Sequence, residues 1–90
     1  MNKMKKIIAD EVVTRKDSEE ILKLYLMNTL QGFLEEFCIF NVGEGEVFVR
    51  LNGGNYFKLE RGEGFETTTP VYKCQVQDKN SVVKFSGIAD

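Results

Sequence analysis

Histidine is absent from this 90-residue chain. That gap removes the commonest general base near neutral pH, the Ser/His and Cys/His nucleophile pairs, and the imidazole ligands of most zinc and iron centres. A dominant charge is also missing: twelve Lys and Arg against fourteen Asp and Glu leave a formal charge of −2. No overall field therefore draws the chain toward nucleic acid or an anionic membrane. Long apolar runs are missing too. No stretch approaches the roughly 18 apolar residues of a membrane span. The basic start, Lys3, Lys5 and Lys6, is followed by just Ile7-Ile8-Ala9 before Asp10-Glu11. The expectation is a soluble product without a signal peptide. Cysteine is scarce: Cys38 and Cys74 lie far apart, each inside an apolar run. That placement fits reduced structural thiols better than a disulfide, metal ligands or a redox motif.

What the chain does have is core material. With 42% hydrophobic residues, seven Phe and three Tyr, it can build one domain over residues 1–90 without disulfides or a metal, although a chain this short buries only about 60–65% of its unfolded surface. From Phe37 onward, glycine and polar clusters recur at short spacing, the mark of antiparallel strands joined by tight turns. The fold class expected is mainly β, a small antiparallel sandwich or barrel, with residues 37–90 as a β-meander.

The clearest unit is Val47 to Leu51, Asn52-Gly53-Gly54, then Asn55 to Leu59. A three-residue loop pairs Val49 with Phe57 and Val47 with Leu59, gives one apolar face, and leaves Phe48, Arg50, Tyr56 and Lys58 on the other. Gly54 is then expected in the left-handed conformation that closes the loop. Gly43 to Glu46 is expected to turn strand 37–42 into this hairpin, and Arg61 to Gly64 to make the next turn. A turn at Asp78 to Ser81 pairs Val76 with Val83 and Cys74 with Phe85, so that Tyr72, Cys74, Val76, Val83 and Phe85 share a face. Pro70 stands before that strand, where a missing N–H is tolerated.

Residues 1–36 are read as an N-terminal strand or helix segment. Residues 19–36 are rich in Glu, Leu, Lys and Met, and Asp17 with Glu20 has capping-box spacing, which favours a helix. Yet Leu22, Leu24 and Leu26 alternate with Lys23 and Tyr25, which favours a strand. Residues 18–31 therefore stand as either a strand hairpin arm or a single helix.

Motifs that carry chemistry are not found. The carboxylates Asp10-Glu11, Glu19-Glu20, Glu35-Glu36, Glu44/Glu46 and Glu60/Glu63/Glu66 fall as strand neighbours on opposite faces or as solubilising turn residues. None follows a calcium-loop pattern. Gly43-Glu44-Gly45 and Gly62-Glu63-Gly64 lack the helix that a phosphate loop needs, and their glutamates would repel phosphate. Lys3, Lys5 and Lys6 with Tyr56, Phe57 and Lys58 could touch nucleic acid, but the negative net charge favours a solvated tail and a hairpin face. No catalytic, cofactor-binding or metal-binding residue is assigned, and the chain is expected not to be an enzyme.

One strand breaks the alternation expected of a sheet open to water. In Phe37-Cys38-Ile39-Phe40-Asn41-Val42 both faces are largely apolar. Phe48 and Tyr56 extend the apolar surface on the next hairpin. With so short a chain to cover both sides, Phe37, Ile39, Phe40, Phe48 and Tyr56 are expected in an interface with another subunit.

The cadence from Gly45 to Leu51, then Leu59-Glu60-Arg61-Gly62-Glu63, resembles the small-barrel cupin pattern. The metal centres of that family rest on histidines, so a metal-dependent cupin activity is excluded. The run Asn41 to Gly54, with Leu59 to Glu63 and the closing Lys84-Phe85-Ser86-Gly87-Ile88-Ala89, resembles small β-sandwich virion proteins of tailed bacteriophages, of the capsid-decoration, head-fibre or tail-accessory type. That resemblance implies a structural role in a virion after synthesis in the host cytoplasm. It also implies assembly as a homo-oligomer and with a larger capsid or tail, with no cofactor, nucleic acid or membrane. The alternative is a small carbohydrate- or peptide-binding module using Tyr56, Phe57 and Tyr72 as a stacking platform. An enzyme comes last.

Overall fold

The computed structural model describes residues 4–90. In chain order it contains β1 (Lys6–Val13), β2 (Glu19–Glu20), α1 (Lys23–Leu26), β3 (Glu35–Asn41), β4 (Val47–Leu51), β5 (Phe57–Leu59), β6 (Gly64–Thr67), β7 (Cys74–Val76) and β8 (Val82–Ala89). The strands form two four-stranded sheets, a first sheet in the order β1-β8-β3-β6 and a second in the order β2-β7-β4-β5. All the strand pairs are antiparallel. Successive strands mostly alternate between the sheets, which is the jelly-roll arrangement of a closed double sheet. The mainly β sandwich expected from the sequence is what forms.

The meander over 37–90 does not form, because nearly every turn is a crossover. β3 and β4 lie in different sheets, so residues 43–46 lead across the sandwich rather than into a hairpin. The β7–β8 turn crosses likewise: β7 pairs with β2 and β4, whereas β8 pairs with β1 and β3. Val76 and Cys74 therefore face Val83 and Phe85 from opposite sheets instead of pairing beside them. All four are buried, while Tyr72 is 57% exposed and shares no face with them. The physical reason is that an inward alternation records which residues meet the core and not which strand lies alongside.

The hairpin expected at 52–54 does form. Val47 pairs with Leu59 and Val49 with Phe57. Its left-handed residues are Asn52 (φ 53°) and Gly53 (φ 74°), not Gly54. Asn tolerates that conformation, so the loop closes one residue earlier than the glycine pattern implied. Asn52 also binds the backbone of residues 70–73: its Nδ2 donates to the Pro70 carbonyl at 2.9 Å and its Oδ1 accepts from the Tyr72 N–H at 2.9 Å.

Neither alternative for 18–31 describes what is there. Glu19 and Glu20 make a two-residue strand against β7, and one helical turn follows over Lys23–Leu26. Ile21 and Leu22 are buried while Leu24 is exposed. The segment thus plugs the sandwich with Ile21 and Leu22 rather than lining it with alternate leucines.

The core joins both inner faces: Phe37, Ile39, Val83 and Phe85 from the first sheet, with Leu34 just before β3, meet Val47, Val49, Leu59, Cys74 and Val76 from the second. At the start of β3 the register shifts between Glu35 and Cys38, and Glu36 takes a positive φ of 50°. This extra residue lets Leu34 and Phe37, three apart, both point inward.

Candidate interaction surface

Among the described residues, the interior of the sandwich is an apolar core. Fourteen apolar residues fill it, as side chains fill small barrels generally. Among the described residues, no buried side-chain polar atom lacks a hydrogen-bond partner, and no group of three His, Cys, Asp or Glu is placed to hold a metal ion. The two buried polar residues are structural. Asn41 Nδ2 donates to the carbonyls of Gly45 at 2.6 Å and Leu59 at 3.0 Å, while its Oδ1 accepts from the Gly43 N–H at 3.0 Å. Thr14 Oγ1 donates to the Asp78 carbonyl at 2.7 Å.

Several carboxylates serve as backbone caps. Glu19 accepts from the Arg15 N–H, Glu20 from the Leu22 N–H, and Glu63 from the Glu60 N–H. Both cysteines are free. Burial pushes the Cys74 thiol far up from its ordinary pKa, with the Glu20 charge adding to it. Cys38 is raised by burial and by its hydrogen bond to Glu66. Neither is set up as a thiolate nucleophile. Lys5 pairs with Glu35 at 3.0 Å, and Lys3 lies outside the described residues.

The residues expected to form one interface are split three ways. Phe37 and Ile39 are wholly buried. They point inward from a central strand and are covered by the second sheet of the same chain, which corrects their assignment to a subunit interface. Phe40 points outward from the first sheet and is 45% exposed. Phe48 and Tyr56 belong to the second sheet and are half-buried on the opposite side of the sandwich. The proposed stacking platform is divided too, because Phe57 turns inward with Val49 and packs on Phe65 at 4.8 Å between ring centroids, away from its neighbour Tyr56.

The outer face of the second sheet carries paired polar groups around the half-buried Phe48. The Arg50 guanidinium lies 4.9 Å from the Tyr56 ring centroid, and its Nε donates to Gln75 Oε1 at 2.8 Å. Lys58 bridges Glu60 at 3.0 Å and Glu46 at 3.9 Å.

The outer face of the first sheet differs. Strand register places Val13, Val82 and Val42 in one row, Glu11, Lys84, Phe40 and Gly64 in the next, then Ala9, Ser86, Cys38 and Glu66, and finally Ile7 beside Ile88. Ile7, Val13, Phe40 and Val42 are all exposed. Phe40 leans onto Gly64, where a Cβ would lie 2.2 Å from the ring. The ring makes a ridge over β3 and β6, and a trough of about 410 Å³ opens on its other side over β8 and β1. Of the residues on this surface, Phe40 alone is among those expected in an interface from the sequence. Lys84, Val82, Ile88, Ile7 and Val13 were legible as outward positions of β8 and β1, but no local pattern says that these two distant segments pair.

No protein-family model matches the sequence, and no curated protein is significantly similar to it. Solved structures do resemble it. Protein NMB1881 from Neisseria meningitidis is similar with a TM-score of 0.51 at 13% identity, covering 99% of this chain and 79% of that one. An RmlC-like cupin family protein with a double-stranded β-helix fold from Methanocaldococcus jannaschii gives 0.47 at 13% identity, over 94% and 68% of the two chains. Apo-HppE gives 0.48 at 13% identity, covering 96% of this chain and 41% of its own. At such identities the likeness concerns the fold alone.

Proposed function

We propose that this chain is a non-enzymatic structural interaction protein that works as a repeated component of a larger particle, a bacteriophage virion in the narrower form. The observation that carries the reading is the contrast between a fully packed interior and an apolar, grooved outer face on the first sheet. Enzymes and small-ligand binders of closed β folds need an open interior or a cleft with convergent polar groups. Here the apolar surface left over is broad and outward, as at protein interfaces. Jelly rolls serve widely as capsid and lectin domains, so the fold is compatible with the virion role by analogy. The carbohydrate-binding alternative is weakened by the division of Tyr56, Phe57 and Tyr72 among different surfaces.

The test is quantitative mass spectrometry of particles banded from cells that make the chain naturally. The expected result is many copies per particle, lost when Phe40→Lys replaces the wild type. Recovery of the chain entirely in the soluble fraction would overturn the assignment, as would turnover of a small substrate by the pure protein.

A further inference from the structure

We infer that the outer face of the first sheet closes a homodimer face to face. Its twofold axis runs along the strands between β8 and β3, so that the Phe40 ridge of each copy seats in the Lys84 trough of the other. This deepens the interaction reading, on which it rests, by naming the first partner as a second copy of the chain.

The shape of the face selects the axis. Phe40 lying on Gly64 stands as a ridge between two hollows, one over β8 and β1 beside Ala9, Lys84 and Ser86 and one over β3 and β6 beside Glu36, Cys38 and Glu66. Turning a second copy about an axis along the midline exchanges the halves and keeps the rows level, so ridge meets trough twice. An in-plane axis across the strands would instead set ridge on ridge. A twofold interface must be self-complementary in this way, and packed sheets favour strand directions within about 30° of each other.

Charge agrees with shape. Lys84 has no ion-pair partner within the chain among the described residues, although Glu11 is its cross-strand neighbour. The ridge half carries Glu66 beside Phe40, on β6. The proposed rotation lays the Lys84 ammonium against the partner's aromatic ring with the partner's carboxylate within reach, a cation–π contact with a counter-charge. In size, four strands and the eight residues of β8 span roughly 20 by 26 Å at ordinary strand spacings. That is a small interface, at the lower end of specific association, so the dimer is expected to be concentration-dependent.

The experiment is sedimentation velocity of the full chain from about 1 µM to 1 mM, joined to cysteine crosslinking with a short bismaleimide. Wild type should pass from monomer to dimer, and Phe40→Lys should weaken dimerisation at least about 30-fold, as loss of a central aromatic anchor does. Lys84→Glu provides a second variant, at an exposed position, should Phe40→Lys fail to fold; it should also weaken dimerisation. Ala9→Cys with Glu66→Cys, in a Cys38→Ser background, reports the axis. The two sites lie on opposite edge strands, about 14 Å apart across the sheet, too far to bond within one chain. Across the proposed axis they face each other at roughly the 10 Å of packed sheets, beyond a direct S–S bond but within reach of a short bismaleimide, so a crosslinked dimer should form. A wild-type monomer at 1 mM, a dimer indifferent to both point variants, or a dimer that the linker never crosslinks would each overturn the inference. If the monomer still enters particles through Phe40, the dimer is wrong and the interaction reading stands; absence from particles as well would remove both.

Discussion

The two outer faces of this sandwich differ in size, the first sheet having strands of four to eight residues and the second of two to five, and they carry different chemistry. On the second sheet the charged and polar side chains around Phe48 pair within the chain: Arg50 covers Tyr56 and binds Gln75, and Lys58 bridges Glu46 and Glu60. On the first sheet Val13, Val42, Ile7 and Phe40 stand exposed in rows, with Lys84 unpaired among the described residues. A face whose polar groups satisfy one another is finished in the monomer. A face that leaves apolar rows in water gains free energy by meeting another surface.

The edge of the first sheet is guarded differently from its face. Thr14 donates to Ser81 at 2.9 Å, so the alternation of an antiparallel ladder turns the backbone groups of Ile7, Ala9, Glu11 and Val13 to the open side of β1. There Asp10 Oδ1 accepts from the Glu11 N–H at 2.8 Å, and Asp10 Oδ2 accepts from the Tyr25 hydroxyl at 2.5 Å. A carboxylate occupying an edge N–H is one means by which sheets discourage strand addition. The contrast favours association through the face over extension of the edge.

The sharpest way to break the comparison is on β3 itself. Phe37→Ala should cost about 3–5 kcal/mol in urea unfolding, as buried Phe truncations do, whereas Phe40→Ala should cost about 1 kcal/mol or less. Equal losses would mean that the monomer already covers the outer face.

A smaller effect tests the hairpin that decides which residues the second sheet turns outward. Gly53 has a φ of 74°, so Gly53→Val should destabilise by about 1–2 kcal/mol. Gly54→Ala should be milder: its Cβ would meet the Leu51 carbonyl at 3.2 Å and its φ is not positive. The reverse order in thermal melts would move the loop and reassign Phe48 and Arg50.

The smallest expected effect is on pH dependence at the guarded edge. Tyr25 is pushed up to about 12, chiefly by its hydrogen bond to Asp10, with burial adding. A raised folded pKa gives stability that is complete below the ordinary value of 10.0 and lost as pH rises toward about 12. Asp10 is lowered by the same bond and by the Glu11 N–H, so its contribution is present above 3.8 and lost on further acidification. Urea midpoints should therefore fall between pH 10 and 12 less steeply in Tyr25→Phe than in wild type. Identical slopes would show that the pair contributes nothing.

The amino-acid order alone determined the fold class, the 47–59 hairpin register and the lack of histidine chemistry. Each of these rests on composition or on neighbours a few residues apart: alternation in Val47-Phe48-Val49, a polar loop at 52–54, an absent side chain. It also determined that strand 37–42 is apolar on both sides, without separating the inward Phe37 and Ile39 from the outward Phe40. Tertiary structure alone decided what covers each side of that strand. Phe37 and Ile39 are buried because β4, β5 and β7 cross over them, and Phe40 joins Lys84 and Ile7 because β8 and β1 pair beside β3 across some 45 to 80 residues of sequence. Inward alternation is identical for a strand beside its neighbour and a strand across the core from it. Only the closed packing of two sheets distinguishes them, and with that packing it fixes which apolar face is left for a partner.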